Sequence, residues 1–302
     1  CSSELGPSCS LVYIFHTKEN EEGSVMARRN VKFSLFKYTM LLIVAIFVLY
    51  PVYYMITLSM RSQASLWSNP TLLPASDSTL ENYRAAFASP EFRRSILNSV
   101  VVCSSATILA VVFGVMAAYA LTILQFKGRD TMGRVVIIAF LTPGALLFIP
   151  FAVIMANLQL SNSLKGLVLV YLSFMVPLAT YLLLGFFRSL PPELEQAARI
   201  DGANRIQALW YVLVPLVAPG LISVGIITFT GAYNELLYSL VINVSPSVRT
   251  VPVAILNLSV ADEVPWGRTM AYSSIAAIPI MVLYFLGQRF VVEGLQTGSV
   301  KG

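Results

Sequence analysis

The sequence predicts an all-α, polytopic membrane protein with about six transmembrane helices. Composition is the first ground. Of its 302 residues, 57% are hydrophobic and only 12% are charged, a balance outside that of ordinary soluble domains. Clustering is the second. The apolar residues gather into six runs, each near the roughly 20 residues that a helix needs to cross the bilayer core. Continuity is the third. The runs lack the alternation of barrel strands, and only helices or closed barrels satisfy the backbone in lipid.

Taken in order, residues 1–36 are expected to form a cytoplasmic N-terminal segment. Met26-Ala27-Arg28-Arg29 reads as a natural start, which makes residues 1–25 an added or upstream leader. Within that leader, Leu11–Phe15 is too short for a signal-peptide apolar region. The transmembrane domain is expected over 37–292, and its first run is Tyr38–Ser59. The loop from Arg61 to Arg94 carries Trp67-Ser-Asn-Pro and Leu80-Glu-Asn-Tyr83. It reads either as a capped interfacial helix or as a surface for an external partner.

The second run, Ile96–Ile123, contains Gly114 and Ala118, a small-xxx-small pair that permits close helix approach. The following loop, Phe126–Arg134, has glycines spaced faintly like a phosphate-binding loop. It lacks the Lys and the Ser/Thr that would hold phosphate and magnesium, and is read as a positive turn. The third run, Val135–Ala156, carries Pro143 and Pro150 and is not expected to be straight. The fourth, Gly166–Phe187, carries Pro177, whose kink would shape a cavity or fit neighbouring helices.

The fifth run, Ala218–Ile242, contains Tyr233, Asn234 and Glu235. An acid at mid-bilayer costs about 2.5–3.5 kcal/mol on insertion scales. Glu235 therefore faces either a water-filled path or a buried polar network at a helix or subunit interface. The loop from Asn243 to Arg268 holds Pro246, Pro252, Pro265, Asp262 and Glu263, and is either an external docking surface or a connector. The sixth run is Thr269–Val292, and 293–302 is expected to be a cytoplasmic tail.

Charge sets the expected orientation. With the N-terminus inside, thirteen of the 20 Lys and Arg residues fall on the inner side, as the positive-inside rule favours. The net charge of +5 thus reflects basic loops rather than a nucleic-acid partner. Cys1, Cys9 and Cys103 make no C-x-x-C pair and His16 is the sole histidine, so neither a protein-built metal site nor a catalytic residue is predicted.

One polar stretch interrupts the apolar pattern on the inner side: 189–215, SLPPELEQAARIDGANRIQALWYVLVP. Pro192 suits a first helical turn, and Glu193 and Glu195 follow where the helix dipole favours acids. Gly202 ends that helix. Asn204 with Gln207 is spaced as a capping box for a second helix. Ile206, Leu209, Trp210 and Leu213 fall on one face of it, and Pro215 breaks it. The pattern is helix, glycine corner, helix, with one face anchored and the other free.

Ala197-Ala198, three residues, Gly202, then Val212-x-Val214-Pro215 resembles the EAA loop of ABC importer permeases. The string ELEQAARIDGA is similar to the maltose- and trehalose-type sugar permeases. Gln196 stands where that family usually has Glu, with Glu195 adjacent, and Val214 stands where it has Leu. Asn82-Tyr83, the string Ala117-Ala118-Tyr119-Ala120, Tyr233-Asn234-Glu235 in place of Trp-Asn-Glu/Asp, and the C-terminal tail extend the resemblance. It implies a type I importer permease whose coupling helix docks on a separate ATPase through Glu193, Glu195, Gln196, Ala197, Ala198, Asp201, Gly202, Ala203 and Pro215. Tyr233, Asn234 and Glu235 are candidates for the translocation path.

The resemblance further implies a second permease subunit in a heterodimer, two ATPase copies and an extracytoplasmic sugar-binding protein or lipoprotein. The substrate would be a disaccharide or oligosaccharide such as trehalose or maltose. The chain would contact membrane lipid and no nucleic acid, and would sit in a bacterial or archaeal inner membrane with both termini cytoplasmic. No cofactor is expected in the chain itself, with ATP and magnesium on the ATPase. The alternative from the residues alone is an ion- or proton-coupled secondary transporter that uses Glu235.

Overall fold

The computed structural model describes residues 34, 36–68, 78–259 and 264–299, with side chains for all of these but 67, 68 and 291–299. Among the described residues every regular element is a helix. The start at Met26, the leader, the acids Asp262 and Glu263, and the last three residues of the tail lie outside them. The chain divides into two compact units, Cys1–Thr57 and Leu58–Gly302.

The first unit contributes helix α1 (Phe36–Ser59), which runs on into the start of the second. It is apolar around its whole circumference, the pattern of a helix that sits in lipid or among other helices. Tyr50 and Tyr54 stack along it with ring centroids 6.1 Å apart.

The second unit opens with two short helices, α2 (Gln63–Ser68) and α3 (Glu81–Ala88). Helix α4 (Pro90–Thr122) starts cleanly: Ser89 Oγ accepts from the Phe92 amide and Pro90 fills the first turn. Helix α7 (Leu164–Arg188) is continuous through Pro177. These two long helices pack along each other and form the centre of the unit. A Cβ added to Gly114 of α4 would lie 3.0 Å from the Ala179 Cβ of α7. Glycine at 114 therefore sets how closely the helices approach, as expected where van der Waals packing drives association in lipid.

The third predicted run is not one helix. It divides into α5 (Arg129–Leu141), a single 3₁₀ turn at Gly144–Leu146, and α6 (Phe148–Asn157). Thr142 precedes Pro143 and is extended, with φ −68° and ψ 124°. The proline ring disfavours the helical conformation of the residue before it. Pro150, in contrast, falls in the first turn of α6, where the missing donor costs nothing.

The fifth run is broken as well. Helix α9 (Arg205–Leu216) meets α10 (Ala218–Tyr233) at an angle of 82°. The helix runs through Pro215 and bends at Val217, so Pro215 is not the break. Pro219, in the first turn of α10, begins the new helix. After Tyr233 the chain breaks again before α11 (Leu237–Ile242). Helix α12 (Val251–Leu256) lies in the connection between 243 and 268, and α13 (Trp266–Ser299) is the last helix among the described residues. Four helices, α1, α4, α7 and α13, are long and apolar enough to cross a membrane, and α9 with α10 makes a fifth if the bent pair is one span. The backbone stays helical across the expected boundary between 292 and 293.

Candidate functional site

Two interruptions carry most of the predicted site residues. The first is the corner between α8 (Glu193–Ile200) and α9. Pro192 is the N-cap of α8 rather than a residue of its first turn, and Glu193 and Glu195 occupy that turn, where they complement the helix dipole. At the other end the Gly202 amide donates to Arg199 O at 3.1 Å and the Ala203 amide to Ala198 O at 3.0 Å. This doubled wrap needs a left-handed residue between its arms, and Gly202 has φ +94°. No atom lies within 4 Å of a Cβ built on Gly202. Backbone conformation, not space, demands the glycine.

The next helix starts as its spacing predicts. The Gln207 amide donates to Asn204 Oδ1 at 2.9 Å, and the Asn204 amide donates to Gln207 Oε1 at 2.8 Å, a complete capping box.

The corner has two faces. Glu195 and Ala198 are buried, and Leu194 packs against the core. Tyr119 Oη, near the C-terminal end of α4, donates to Glu195 Oε1 at 3.4 Å, and Arg199 Nε lies 3.9 Å from the same oxygen. Gln196 and Ala197 point the other way and are exposed with Glu193, Ile200, Asp201 and Gly202; Ala203 is half-buried. The acid beside Gln196 is thus spent on holding α8 to α4.

The predicted apolar face of α9 is corrected here. Ala208, Leu209 and Leu213 are buried, whereas Ile206 is 71% exposed and Trp210 37%. Residues Ala208–Leu213 form a π turn. Its i→i+5 bonding widens the period beyond 3.6, so Ala208 and Leu213 share a face while Ile206 rotates out. Pro215 sits exposed near the far end of α9, away from the corner.

The second interruption is at Glu235, between α10 and α11. Its carboxylate accepts three hydrogen bonds. The Tyr238 amide reaches Oε1 at 3.0 Å, the Ser239 amide reaches Oε2 at 3.3 Å, and Tyr171 Oη from α7 reaches Oε2 at 3.1 Å. The acid caps α11 and ties it to α7. Around it, Tyr238 Oη donates to Gly144 O at 2.6 Å, and Thr250 Oγ1 donates to Ser239 Oγ at 2.7 Å. Of the two readings of Glu235, the geometry matches the packing network.

Tyr233 and Asn234 lie on the other side of the break. They line a cavity of about 320 Å³ between α10, α12 and α13, with Ser273 as a further polar group and Val251, Ile255 and Ile280 as apolar wall. Tyr233 is itself fixed: its hydroxyl donates to Ala276 O at 3.0 Å and its ring stacks on Phe229 with centroids 5.7 Å apart. Asn234 is exposed. An amide on an otherwise apolar wall can bond a hydroxylated ligand while the wall covers its carbon face. Glu235 does not line this cavity.

Several residues in these networks gain their role only from the fold. Tyr119 and Tyr171 lie inside apolar runs, and their distant carboxylate partners give them that role. Asn98 and Ser99 are the same kind of case. Asn98 Nδ2 donates to Ser247 O and Arg249 O, both at 3.0 Å, and Ser99 Oγ accepts from the Val251 amide at 2.8 Å. They staple the segment 247–251 to α4. Asn82 and Tyr83 also turn inward: Asn82 Nδ2 donates to Ser59 O and Arg61 O, and the Tyr83 hydroxyl lies 2.7 Å from Ser59 Oγ.

Comparison with known proteins places these features. Residues 110–292 match the family described as binding-protein-dependent transport system inner membrane component. A trehalose transport system permease protein of Mycobacterium tuberculosis is 37% identical over 258 residues, covering 85% of this chain and 93% of that protein. A trehalose/maltose transport system permease protein of Thermococcus litoralis is 34% identical over 264 residues, covering 86% of this chain and 94% of the relative. Among solved structures, a bacterial ABC transporter involved in import of the acidic polysaccharide alginate aligns with a TM-score of 0.71. Its identity is 23%, and the match covers 85% of this chain and 95% of that one; at that identity the likeness speaks for the fold alone.

Proposed function

This chain belongs to the family of binding-protein-dependent transport system inner membrane components, and from that premise we propose that it is the membrane-spanning permease subunit of an ATP-driven sugar importer. It is a transport subunit and not an enzyme; hydrolysis takes place on a separate ATPase. The sugar is of the disaccharide or oligosaccharide class, as the names of its trehalose and maltose relatives support. A second permease subunit, two ATPase copies with their ATP and magnesium, and an extracytoplasmic binding protein complete the transporter. Both termini are cytoplasmic, the side the basic residues favour.

The observation that carries this reading is the two-faced corner at Gly202. Its inner face is fixed to α4 through Glu195 and Tyr119, and its outer face offers Glu193, Gln196, Ala197, Ile200 and Asp201 to a partner. In the proposed cycle, closure of the ATPase dimer pushes on α8. The push reaches α4 through the Tyr119–Glu195 contact and α7 through the close packing at Gly114, and alternates access to the path. The cavity walled by Tyr233 and Asn234 is the proposed section of that path contributed by this subunit.

Reconstituting the permeases with and without the ATPase subunits in proteoliposomes tests the proposal. Uptake of a disaccharide should require the ATPase and ATP and should survive a protonophore. Uptake that persists without any ATPase, and collapses with the protonophore, would overturn it in favour of a proton-coupled carrier.

A further inference from the structure

The inner end of the membrane unit holds a second site that the transport reading leaves unused. A cavity of about 220 Å³ opens between the ends of α4, α5 and α7. That is several times the ~30 Å³ share of one water molecule in the liquid, enough for a phosphodiester. Its rim carries three guanidinium groups, Arg129, Arg134 and Arg188, against one carboxylate, Asp130. Asp130 is spoken for: its Oδ1 lies 3.6 Å from Arg129 Nε. Arg134 bonds only neutral acceptors, Asp130 O at 3.4 Å and Thr131 Oγ1 at 3.5 Å. Arg188, in the last turn of α7, forms no ion pair among the described residues. Two positive charges therefore face the cavity uncompensated.

The cavity also has apolar lining: Leu121 of α4, Ile137 of α5 and Leu184 of α7. From there Val135, Ile138 and Leu141 continue along α5 as exposed apolar side chains, and no residue of α5 is buried. A cationic rim over an apolar gutter matches an amphiphile with an anionic head and a hydrocarbon tail. Basic pockets between spans at the cytoplasmic side meet such heads in the inner leaflet.

We infer that the cleft between α4, α5 and α7 binds the phosphate headgroup of an anionic inner-leaflet phospholipid, with Arg134 and Arg188 as its free cationic ligands and the α5 surface as the seat of an acyl chain. Arginine suits this role because its planar fork pairs with phosphate oxygens through two bonds. The chemistry recognised at the rim, a phosphate monoanion, is shared with free inorganic phosphate. The apolar wall commits the site to the lipid.

The test uses the assembled transporter in nanodiscs of equal phosphatidylglycerol and phosphatidylcholine, with retained lipid measured by native mass spectrometry. The wild type should retain phosphatidylglycerol in preference to phosphatidylcholine. Arg134→Gln/Arg188→Gln should lower that retention at least about tenfold, and Arg134→Lys/Arg188→Lys should restore most of it. In detergent, phosphatidylglycerol should raise the melting temperature of the wild type while inorganic phosphate alone leaves it unchanged. Equal retention of both lipids, or an equal shift with inorganic phosphate, overturns the assignment. So does a Gln variant that sheds the ATPase yet keeps its phosphatidylglycerol, since the arginines would then be a protein-docking surface. If the Gln variant fails to assemble, single Arg188→Gln is read in the same way.

Discussion

The corner at Gly202 and the break at Glu235 are both places where one helix stops and another begins, and they leave their surroundings in opposite states. At Gly202 the backbone bonds are closed by neighbours in sequence, through the Arg199 and Ala198 carbonyls and the Asn204–Gln207 box. The side chains are left over, and they face outward. At Glu235 one carboxylate serves two backbone amides and a tyrosine from another helix, and nothing is left to offer. An interruption closed by local backbone bonds leaves a surface to be read by a partner. One closed by long-range side-chain bonds is part of the core.

Substitutions can break that contrast, and the largest effect on permease stability is expected at the core interruption. Glu235→Ala leaves two amide donors and the Tyr171 hydroxyl without an acceptor. Roughly 2 kcal/mol or more of stability should be lost, read as a lower melting temperature of the purified subunit. A wild-type melting curve would show that water replaces the carboxylate there and that the break is as open as the corner.

Gly202→Val is expected to cost about 1–2 kcal/mol, because a β-branched residue must enter the left-handed region. No atom lies close enough to obstruct the side chain, so the damage should stay in the corner. The spans should remain folded in circular dichroism while co-purification of the ATPase is lost. Asn204→Ala removes one half of the capping box and should cost about 1 kcal/mol. Its readout is faster amide exchange at Gln207, with exchange around Glu235 unaltered. The smallest effect is expected for Gln196→Glu. The side chain is exposed, so stability should change by less than about 0.5 kcal/mol, while affinity for the ATPase changes measurably. A large stability loss in that variant would mean that position 196 belongs to the inner face after all.

The Glu195–Tyr119 contact belongs to both kinds. It is a long-range bond like those at Glu235, yet it sits under the exposed corner and ties that corner to α4. Arg199, one turn along, shares the same oxygen. Glu195 anchors the inner face of α8, and Gln196 occupies the outer face, where no ion pair among the described residues calls for an acid.

Much of this was legible in the chain. The first, second, fourth and sixth apolar runs, the glycine at 202 and the Asn204–Gln207 spacing follow rules that act over a few residues, and the structure carries each of them, whereas the third and fifth runs are divided. Proline was read less well. Pro143 breaks its run through the extended Thr142 before it, whereas Pro177 is carried inside a continuous helix and Pro215 inside α9. A proline's presence alone therefore does not say whether its helix stops or continues. The face of α9 was misjudged because periodicity assumes 3.6 residues per turn, and the π turn at Ala208–Leu213 departs from it.

By itself the sequence determined that the chain crosses a membrane as helices, where a polar corner interrupts them, and that the corner turns on a glycine. Those outcomes depend on transfer of apolar side chains from water and on backbone bonds between residues a few positions apart. Only the tertiary structure decided that Glu235 closes a network while Asn234 faces a cavity, and that Glu195 is buried while Gln196 faces outward. Those partners are separated by 64 and 76 residues, Tyr171 from Glu235 and Tyr119 from Glu195. A carboxylate in an apolar setting takes whichever donors packing brings within 3 to 3.5 Å, and packing is a property of the assembled helices rather than of any one of them.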